Sequence, residues 1–356
     1  MRILIAFTII LSSCSTKNFD KEIKDIRAPF DGQRFNNIEP FKDKSFWDVM
    51  SWRIFTERSE WEVVKNQKFS KPSVKRSKEL ILTLIGHSSV LIQIDDVNII
   101  TDPHYSERAS PVSFAGPKRV IKPAIKFEDL PPIDFVLISH NHYDHLDIET
   151  LKSLDQVHAP EFLVGLGNKA LLENEGIKKI VEMDWWDFHK NNSLKIHFTP
   201  VQHWSARGIF DRRTTLWGGF IIEGSKKIFF AGDTGYGKVF KQLYDDYGPM
   251  DVGLIPIGAY EPRGFMKNAH INPEEAVKIF LDLKIKYGFG IHSRTFADLT
   301  DEPRDQPLKD LRTAMQKYKI EEGKFIAPDF GKEYKIHNTA NSLHLFNPPS
   351  SRTVGE

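Results

Sequence analysis

The sequence predicts a layered α/β domain in which two sheets carry helices on their outer faces. Three observations lead there. From Leu80 onward the chain breaks into short β-rich runs. Strands then alternate with helical segments, the order that stacks helices on sheets. Histidines and aspartates recur directly after apolar runs, where α/β domains place their sites. A chain of 356 residues with 40% hydrophobic and 12% aromatic content has ample material for a core, in one large domain or two small ones.

The opening "MRILIAFTIILSSCSTKNFD" joins Arg2, an apolar run from Ile3 to Leu11, and small residues ahead of Cys14. This is the layout of a secretory signal. The run is well short of the about 20 apolar residues that span a bilayer, so residues 1–13 are expected to be a signal peptide. Residues 14–45 are polar, with Pro and Gly breaks in "APFDGQRFNNIEP", and read as a tether that becomes a wrapping arm. In "SFWDVMSWRIFTERSEW" the residues Phe46, Trp47, Met50, Ile54 and Trp61 fall at near-helical spacing. They predict a helix packed on the body, with a membrane-dipping helix as the second reading.

The body, residues 46–337, continues with the strands "LILTLIG", "SVLIQID", "VNIIT" and "DFVLISH". Then come "LKIHFTP", "TLWGGFIIEG", "KKIFFAGD", "DVGLIPIG" and "YGFGIHS". Between these lie the helical segments "LDIETLKSL", "GNKALLENEG", "GYGKVFKQLYDDYG" and "NPEEAVKIFLDLK", the last capped by Asn272. No internal repeat is visible, and residues 338–356 read as a loose polar tail.

Lys plus Arg at 49 nearly balance Asp plus Glu at 48, so no net field invites nucleic acid and no such partner is expected. Cys14 is the only cysteine, which excludes an intramolecular disulfide and restricts any metal site to histidine and carboxylate. "LISHNHYDHLD" supplies both. His140 and His142 follow an apolar strand, while Asp144 and His145 are expected to begin the next helix. A metal satisfies such a crowd of imidazoles and carboxylate together, whereas without one they compete for hydrogen bonds.

Further ligands are expected at other strand ends: His203 in "PVQHWSARG", Asp233 in "FFAGDTGYG" and His292 in "GIHSRTF". Asp102 in "ITDP" suits a carboxylate that orients a ligand histidine. His87 in "GHSS" reads as a structural histidine or a substrate contact, and His270 as a group near the substrate or an ordinary polar partner. His104, His158, His189, His197, His337 and His344 have no motif around them and read as surface or structural residues.

The chain resembles the metallo-β-lactamase-fold hydrolases, whose His-x-His-x-Asp-His signature is matched by His140, His142, Asp144 and His145. Within them it is similar to the N-acylphosphatidylethanolamine phospholipase D branch, through "IGHSSVLIQ", "ITDPHYSERASPVSFAGPKR", "PVQHWSARG", "AGDTGY" and "FMKNAHINPEEAV". The resemblance implies a four-layer αβ/βα sandwich holding two zinc ions, with Mn or Fe also compatible with the ligands. His140, His142 and His203 would hold the first ion. Asp144, His145 and His292 would hold the second, and Asp233 would bridge.

The resemblance further implies hydrolysis of a phospholipid phosphodiester through a bridging hydroxide, with His270 or a bound water protonating the leaving group. A lactone, amide or ester hydrolase on the same site is the alternative, as is a non-catalytic, metal-stabilised binding lipoprotein. Where the branch often reads His-Trp-Gly-Thr-Phe, this chain has His292, Ser293, Arg294, Thr295 and Phe296, so Arg294 is expected to add a cation to the pocket wall or to face solvent. "LSSC" resembles a bacterial lipobox, which implies lipidation at Cys14 and a lipid-anchored protein of the cell envelope, outside the cytoplasm. A plain signal peptide with a chance cysteine is the other reading.

Overall fold

Runs such as Leu80–Gly86 and Phe135–Ile138 are buried at every position, as expected of strands covered on both faces. In the computed structural model, which describes residues 19–41, 43–56, 59–336 and 344–345, these runs assemble into two large sheets. The eight-stranded sheet runs in the order His344–Leu345, Glu333–Ile336, Leu80–Gly86, Ser89–Ile94, Val97–Thr101, Phe135–Ile138, Glu161–Gly165, Ile180–Met183. The seven-stranded sheet runs Phe325–Ile326, Tyr287–Ile291, Val252–Pro256, Lys227–Phe230, Gly219–Glu223, Lys195–Thr199, Phe188–Lys190.

Each sheet starts in the chain with antiparallel neighbours and continues with parallel ones. The crossovers Ile148–His158 and Lys169–Asn174 serve the first sheet; Val239–Tyr247, Pro273–Asp282 and Gln306–Lys317 serve the second. The same plan occurs twice although the sequence shows no repeat. Burial constrains which positions are apolar, not which apolar residue fills them.

Leu82, Leu84, Ile92, Leu137 and Leu163 of the first sheet share one core cluster with Ile196, Phe198, Phe220 and Phe230 of the second, joined by Val277, Phe280 and Leu311 of its helices. Alternate residues Ile85, Leu91, Val136 and Phe162 instead meet Leu151, Leu154 and Leu172 of the first sheet's helices. Two sheets between two helical layers result. Each fully buried Leu or Phe in them contributes roughly 1.5–3 kcal/mol.

The arm lies against this body. Lys21 reaches Asp184 at 3.1 Å, Arg27 pairs with Asp187, and Phe19, Phe30 and Phe35 pack ring on ring. At its end Asn37 donates to the His203 carbonyl (2.8 Å) and accepts from the His203 amide (3.0 Å).

Several expectations need correction. The aromatic helix is Phe46–Phe55, started by a Ser45–Asp48 capping box, and Trp61 lies beyond it with its indole donating to the Glu302 carbonyl. Its docked residues are Val49 and Trp52, while Trp47 and Ile54, counted in the apolar stripe, are 77% and 62% exposed. Trp52 can both stack on Phe265 (4.9 Å) and donate to Asp301 (2.9 Å), and this double anchorage selects the face. The tail is not all coil, since His344–Leu345 pairs with Glu333–Ile336. Helix Gln306–Lys317 and strand Glu161–Gly165 were not anticipated. Residues 1–18, including Cys14, and His337 lie outside the described residues. No helix among the described residues is long and apolar enough to cross a membrane.

Candidate metal centre

Four strand ends deliver the predicted ligands. Phe135–Ile138 leads into His140, His142, Asp144 and His145; Lys195–Thr199 into His203; Lys227–Phe230 into Asp233; and Tyr287–Ile291 into His292. Asp144 and His145 sit on a turn in which both amides at 145 and 146 bond to the His142 carbonyl, and the helix begins only at Ile148, later than expected. Asp147, on the helix's N-terminal flank, is drawn away to Tyr105, Ser106 and Thr150. Gly232 has a positive φ of 59°, and a Cβ there would meet Ser139 at 2.5 Å, so glycine lets Asp233 come against the motif of the other sheet.

Two clusters of donor atoms result. His140 Nε2 lies 2.8 Å from His142 Nδ1, which is 3.3 Å from His203 Nε2. Asp144 Oδ2, His145 Nε2 and His292 Nε2 lie 3.1–3.3 Å apart. Asp233 stands between them, with Oδ2 3.3 Å from His145 Nε2 and 3.9 Å from His203 Nε2, and Oδ1 3.1 Å from His292 Nε2. Nitrogens sharing one tetrahedral zinc at about 2.0–2.1 Å are roughly 3.3 Å apart. The spacing therefore fits.

Proton placement makes the case sharper. Ser139 Oγ donates to Asp102 Oδ2 (2.6 Å), so it accepts from His140 Nδ1 (2.9 Å) and leaves His140 Nε2 as a lone pair. His203 Nδ1 donates to the Ala269 carbonyl (2.9 Å), with the same consequence, while His145 Nδ1 donates to Asp102 Oδ2 (2.6 Å) and Asp233, Asp144 and Asp102 together outweigh burial to lift His145 well above the usual histidine range. Lone pairs of His140 and His203 thus converge on His142 Nδ1, whose single proton can serve only one. A cation satisfies all of them.

Charge agrees. Burial drives His140 and His203 well below the usual histidine range and His142 to about 3, leaving the neutral rings that ligate metals. Burial pushes Asp144 and Asp233 upward, but the surrounding histidines outweigh it and hold both well below the carboxylate range. Burial likewise opposes charge on His292, yet Asp233 and Asp144 lift it to about 9. Among the described residues no lysine or arginine pairs with Asp144 or Asp233, so these buried carboxylates attract positive charge that only histidine supplies.

Around the ligands lies a supporting layer. Asp102 holds His145 and Ser139; His87 Nε2 bonds Asp144 Oδ2 at 3.0 Å with its ring 4.0 Å from that of His292. Burial lowers His87 to about 3, so the neutral ring donates to the carboxylate. His87, Asp102 and His292 all have positive φ (52°, 33° and 57°), conformations that cost about 1–3 kcal/mol each and persist where surroundings over-determine them. His270 Nδ1 lies 3.6 Å from Asp233 Oδ2, and burial, opposed by Asp233, brings it to about 4.

Two further residues support the ligand turn, and of these only Arg207 escaped the sequence. Arg207 donates to the carbonyls of Asn141 (3.0 Å) and Leu146 (2.8 Å), the two ends of the ligand turn. His104, read as a surface or structural residue, is structural: it is buried, accepts from Arg119 (3.2 Å) and donates to the Tyr143 carbonyl (3.1 Å) in the middle of the turn. Neither has a motif to announce it, because each acts on backbone carbonyls distant in sequence. Arg294 is turned away from the centre: it donates to the Pro328 carbonyl (2.7 Å) and covers Phe330, so it adds no cation to the cavity wall. His189 and His197 pair with Glu161 and Glu223, and His158 faces Phe127.

The family described as the β-lactamase superfamily domain matches residues 97–293, a span that contains every ligand above. The chain belongs to the metallo-β-lactamase superfamily. This superfamily member is 40% identical over 269 residues to N-acyl-phosphatidylethanolamine-hydrolyzing phospholipase D 1 of Caenorhabditis elegans, covering 71% of this chain and 75% of that one. It is 35% identical over 222 residues to the mitochondrial N-acyl-phosphatidylethanolamine-hydrolyzing phospholipase D of Saccharomyces cerevisiae, covering 60% and 47%. Among solved structures it shares the fold of a metallo hydrolase from Ignicoccus hospitalis (TM-score 0.53, 20% identity, 73% and 99% covered). It shares it also with a diiron β-hydroxylase from Streptomyces venezuelae (TM-score 0.56, 20% identity, 73% and 54% covered). With the donor set above, the chain is a metal-dependent hydrolase.

A cavity of about 350 Å³ opens onto the centre. Its floor includes His142, Asp144, Asp233 and His270; its walls include Phe41, Val49, Trp52, Trp204, Phe265 and Met266.

Proposed function

We propose that this hydrolase cleaves a phosphodiester in a phospholipid head group, as a phospholipase D acting on N-acylphosphatidylethanolamine-type lipids. The observation that carries the reading is a cavity, walled largely by apolar side chains, that ends on the cluster of histidine and aspartate donors. Its volume of about 350 Å³ falls in the range of clefts that take small organic ligands, roughly 300–1,000 Å³. The two relatives named for this lipid support the same substrate class.

Two divalent ions, zinc or alternatively manganese or iron, would be held by His140, His142 and His203 and by Asp144, His145 and His292, with Asp233 shared. When bound, such a pair supplies a hydroxide nucleophile near neutral pH and offsets charge on the phosphoryl oxygens. The chain's own residues do the rest. Asp102 keeps the proton of His145 on Nδ1, and Ser139 does the same for His140. His270 is neutral near pH 7, so it meets the departing alcohol oxygen as a neutral hydrogen-bond partner rather than as a cationic acid. The wall aromatics exclude water and take the apolar part of the lipid.

Lipidation at Cys14 would anchor the domain to a membrane of the bacterial cell envelope, outside the cytoplasm, with residues 14–45 as tether and arm. Radiolabelled palmitate incorporation into the full chain, lost in Cys14→Ser, checks that anchor. The function itself is tested by metal analysis together with hydrolysis of N-acylphosphatidylethanolamine and a bis-aryl phosphodiester. About two metals per chain and chelator-sensitive cleavage are expected. Two metals without phosphodiester cleavage would overturn the reading in favour of lactones, amides or other esters, and a metal-stabilised chain without turnover would favour a binding lipoprotein.

A further inference from the structure

Two loops at the rim of the cavity hold apolar side chains out to water. The chain lines the cavity at Ala109 and again at Pro117, and between them every residue from Pro111 to Gly116 is exposed and none is charged, with Phe114 77% exposed. It lines the cavity once more at Trp204 and at Arg212, and between those Ile209 and Phe210 are each 79% exposed. Both loops adjoin Tyr143. That side chain lines this cavity together with the four flanking residues just named, and it lines a neighbouring cavity together with Val112, Ser113 and Arg207. The two apolar tips are therefore neighbours beside one opening.

Each loop pairs backbone polar groups with its own side chains. Arg108 donates to the carbonyls of Ser113 (3.0 Å) and Gly116 (2.6 Å), and Asp211 accepts from the amides of Arg207 (2.9 Å) and Gly208 (2.8 Å). Unpaired peptide groups oppose transfer out of water, and these are already paired. Phe and Ile side chains gain by leaving water, so tips of this build suit an apolar medium. A second copy of the chain, or another protein, seated on the tips would stand over the opening that a substrate must use. A bilayer covers the same tips and also holds a lipid substrate.

We infer that Phe114, Ile209 and Phe210 insert into a bilayer surface and set the opening of the cavity against the lipid. The inference rests on the lipid-hydrolase reading and adds the surface from which the substrate is taken. It concerns the folded domain and is separate from any acyl chain at Cys14.

The test uses the full chain with Cys14→Ser, which removes acylation and the only native thiol. A polarity-sensitive fluorophore is attached through Phe114→Cys, through Phe210→Cys, or through Val157→Cys, an exposed site at the far end of the helix Ile148–His158 that leads away from the ligand turn. With phosphatidylcholine vesicles, emission at the two loop sites is expected to shift to the blue and to stay shifted at raised salt, while emission at the helix site does not move. In turnover by the metal-loaded chain, Phe114→Ser combined with Phe210→Ser should lose about tenfold against N-acylphosphatidylethanolamine in vesicles, the scale of one buried Phe, and nothing against a soluble bis-aryl phosphodiester. No shift at the loop sites, an equal shift at all three sites, or unchanged vesicle turnover overturns the inference. A shift that follows protein concentration instead of vesicles also overturns it and assigns the tips to a second copy. The fluorophore reads docking without turnover, so shifted tips on a chain that cleaves no phosphodiester support the docking surface and sink the phosphodiesterase reading alone.

Discussion

On the floor of the cavity, each ligand is attached to a sheet end and most are gripped a second time from behind. Asp102 holds His145, Ser139 holds His140, the Ala269 carbonyl holds His203, and Arg207 and His104 hold the turn between His140 and Leu146. The walls are made differently. Trp52, Phe265, Trp204 and Arg212 come from segments outside both sheets, and Trp52 bonds Asp301 and stacks on Phe265 rather than extending a strand. Sheet ends hold donor atoms to the tolerance a metal requires, whereas a lipid tail asks only for apolar surface. Donor atoms and cavity surface are thus supplied by different parts of the fold.

The comparison is broken most directly at the floor. Asp144→Asn or His142→Ala should lower turnover by roughly 10³-fold or more, from the several kcal/mol of transition-state stabilisation that a metal site supplies. A metal-reconstituted variant with unimpaired rate would show that the floor is dispensable. Asp102→Asn removes the charge behind His145 and should weaken metal affinity by about 10–100-fold in a chelator competition. Retained affinity would leave that carboxylate only a structural part.

Arg207→Ala leaves the Asn141 and Leu146 carbonyls without their partner and should cost about 1–3 kcal/mol in urea unfolding. An unchanged midpoint would remove Arg207 from the supports of the floor.

Acid should act on the floor in a stated direction. His87 and His142 at about 3 and His270 at about 4 are depressed in the fold, so below the unfolded value of about 6.5 the unfolded chain binds more protons. Their contribution is full above that value and is lost as pH falls through the window from 6.5 toward 3. His292, raised to about 9, and His145, also raised by its carboxylate neighbours, act oppositely, losing their contribution as pH rises through their folded values, but with His140 and His203 also depressed the lowered rings outnumber these two. The melting midpoint of the metal-free chain should fall between pH 7 and pH 5; a rise would reverse the charge assignment.

The smallest effect belongs to the wall. Trp52→Ala should raise KM for a long-chain lipid about twofold to tenfold, the worth of one aromatic contact, with kcat held. A collapse of kcat instead would place the helix Phe46–Phe55 in the chemistry and erase the distinction.

The floor was largely legible because ligand chemistry is local in kind. His140, His142, Asp144 and His145 crowd one loop, and His203, Asp233 and His292 each follow an apolar strand. Asp102 and His270 could be suspected from their own neighbours. His104 and Arg207 could not, since their partners are carbonyls at positions 141, 143 and 146 rather than side chains with a signature. The helix Phe46–Phe55 was found but its docked face was not, as Trp47 and Trp52 differ less in hydropathy than in what each can reach.

Sequence alone determined the alternation of apolar runs that makes two sheets, the strand ends that carry donors, and a ligand set free of cysteine, because burial and metal affinity act on residue type. Tertiary structure decided which donors stand together, which proton His140 and His203 keep, where Arg294 goes and which residues line the cavity. Those depend on distances between segments up to about two hundred residues apart, and sequence spacing carries no measure of distance once the chain has turned back on itself.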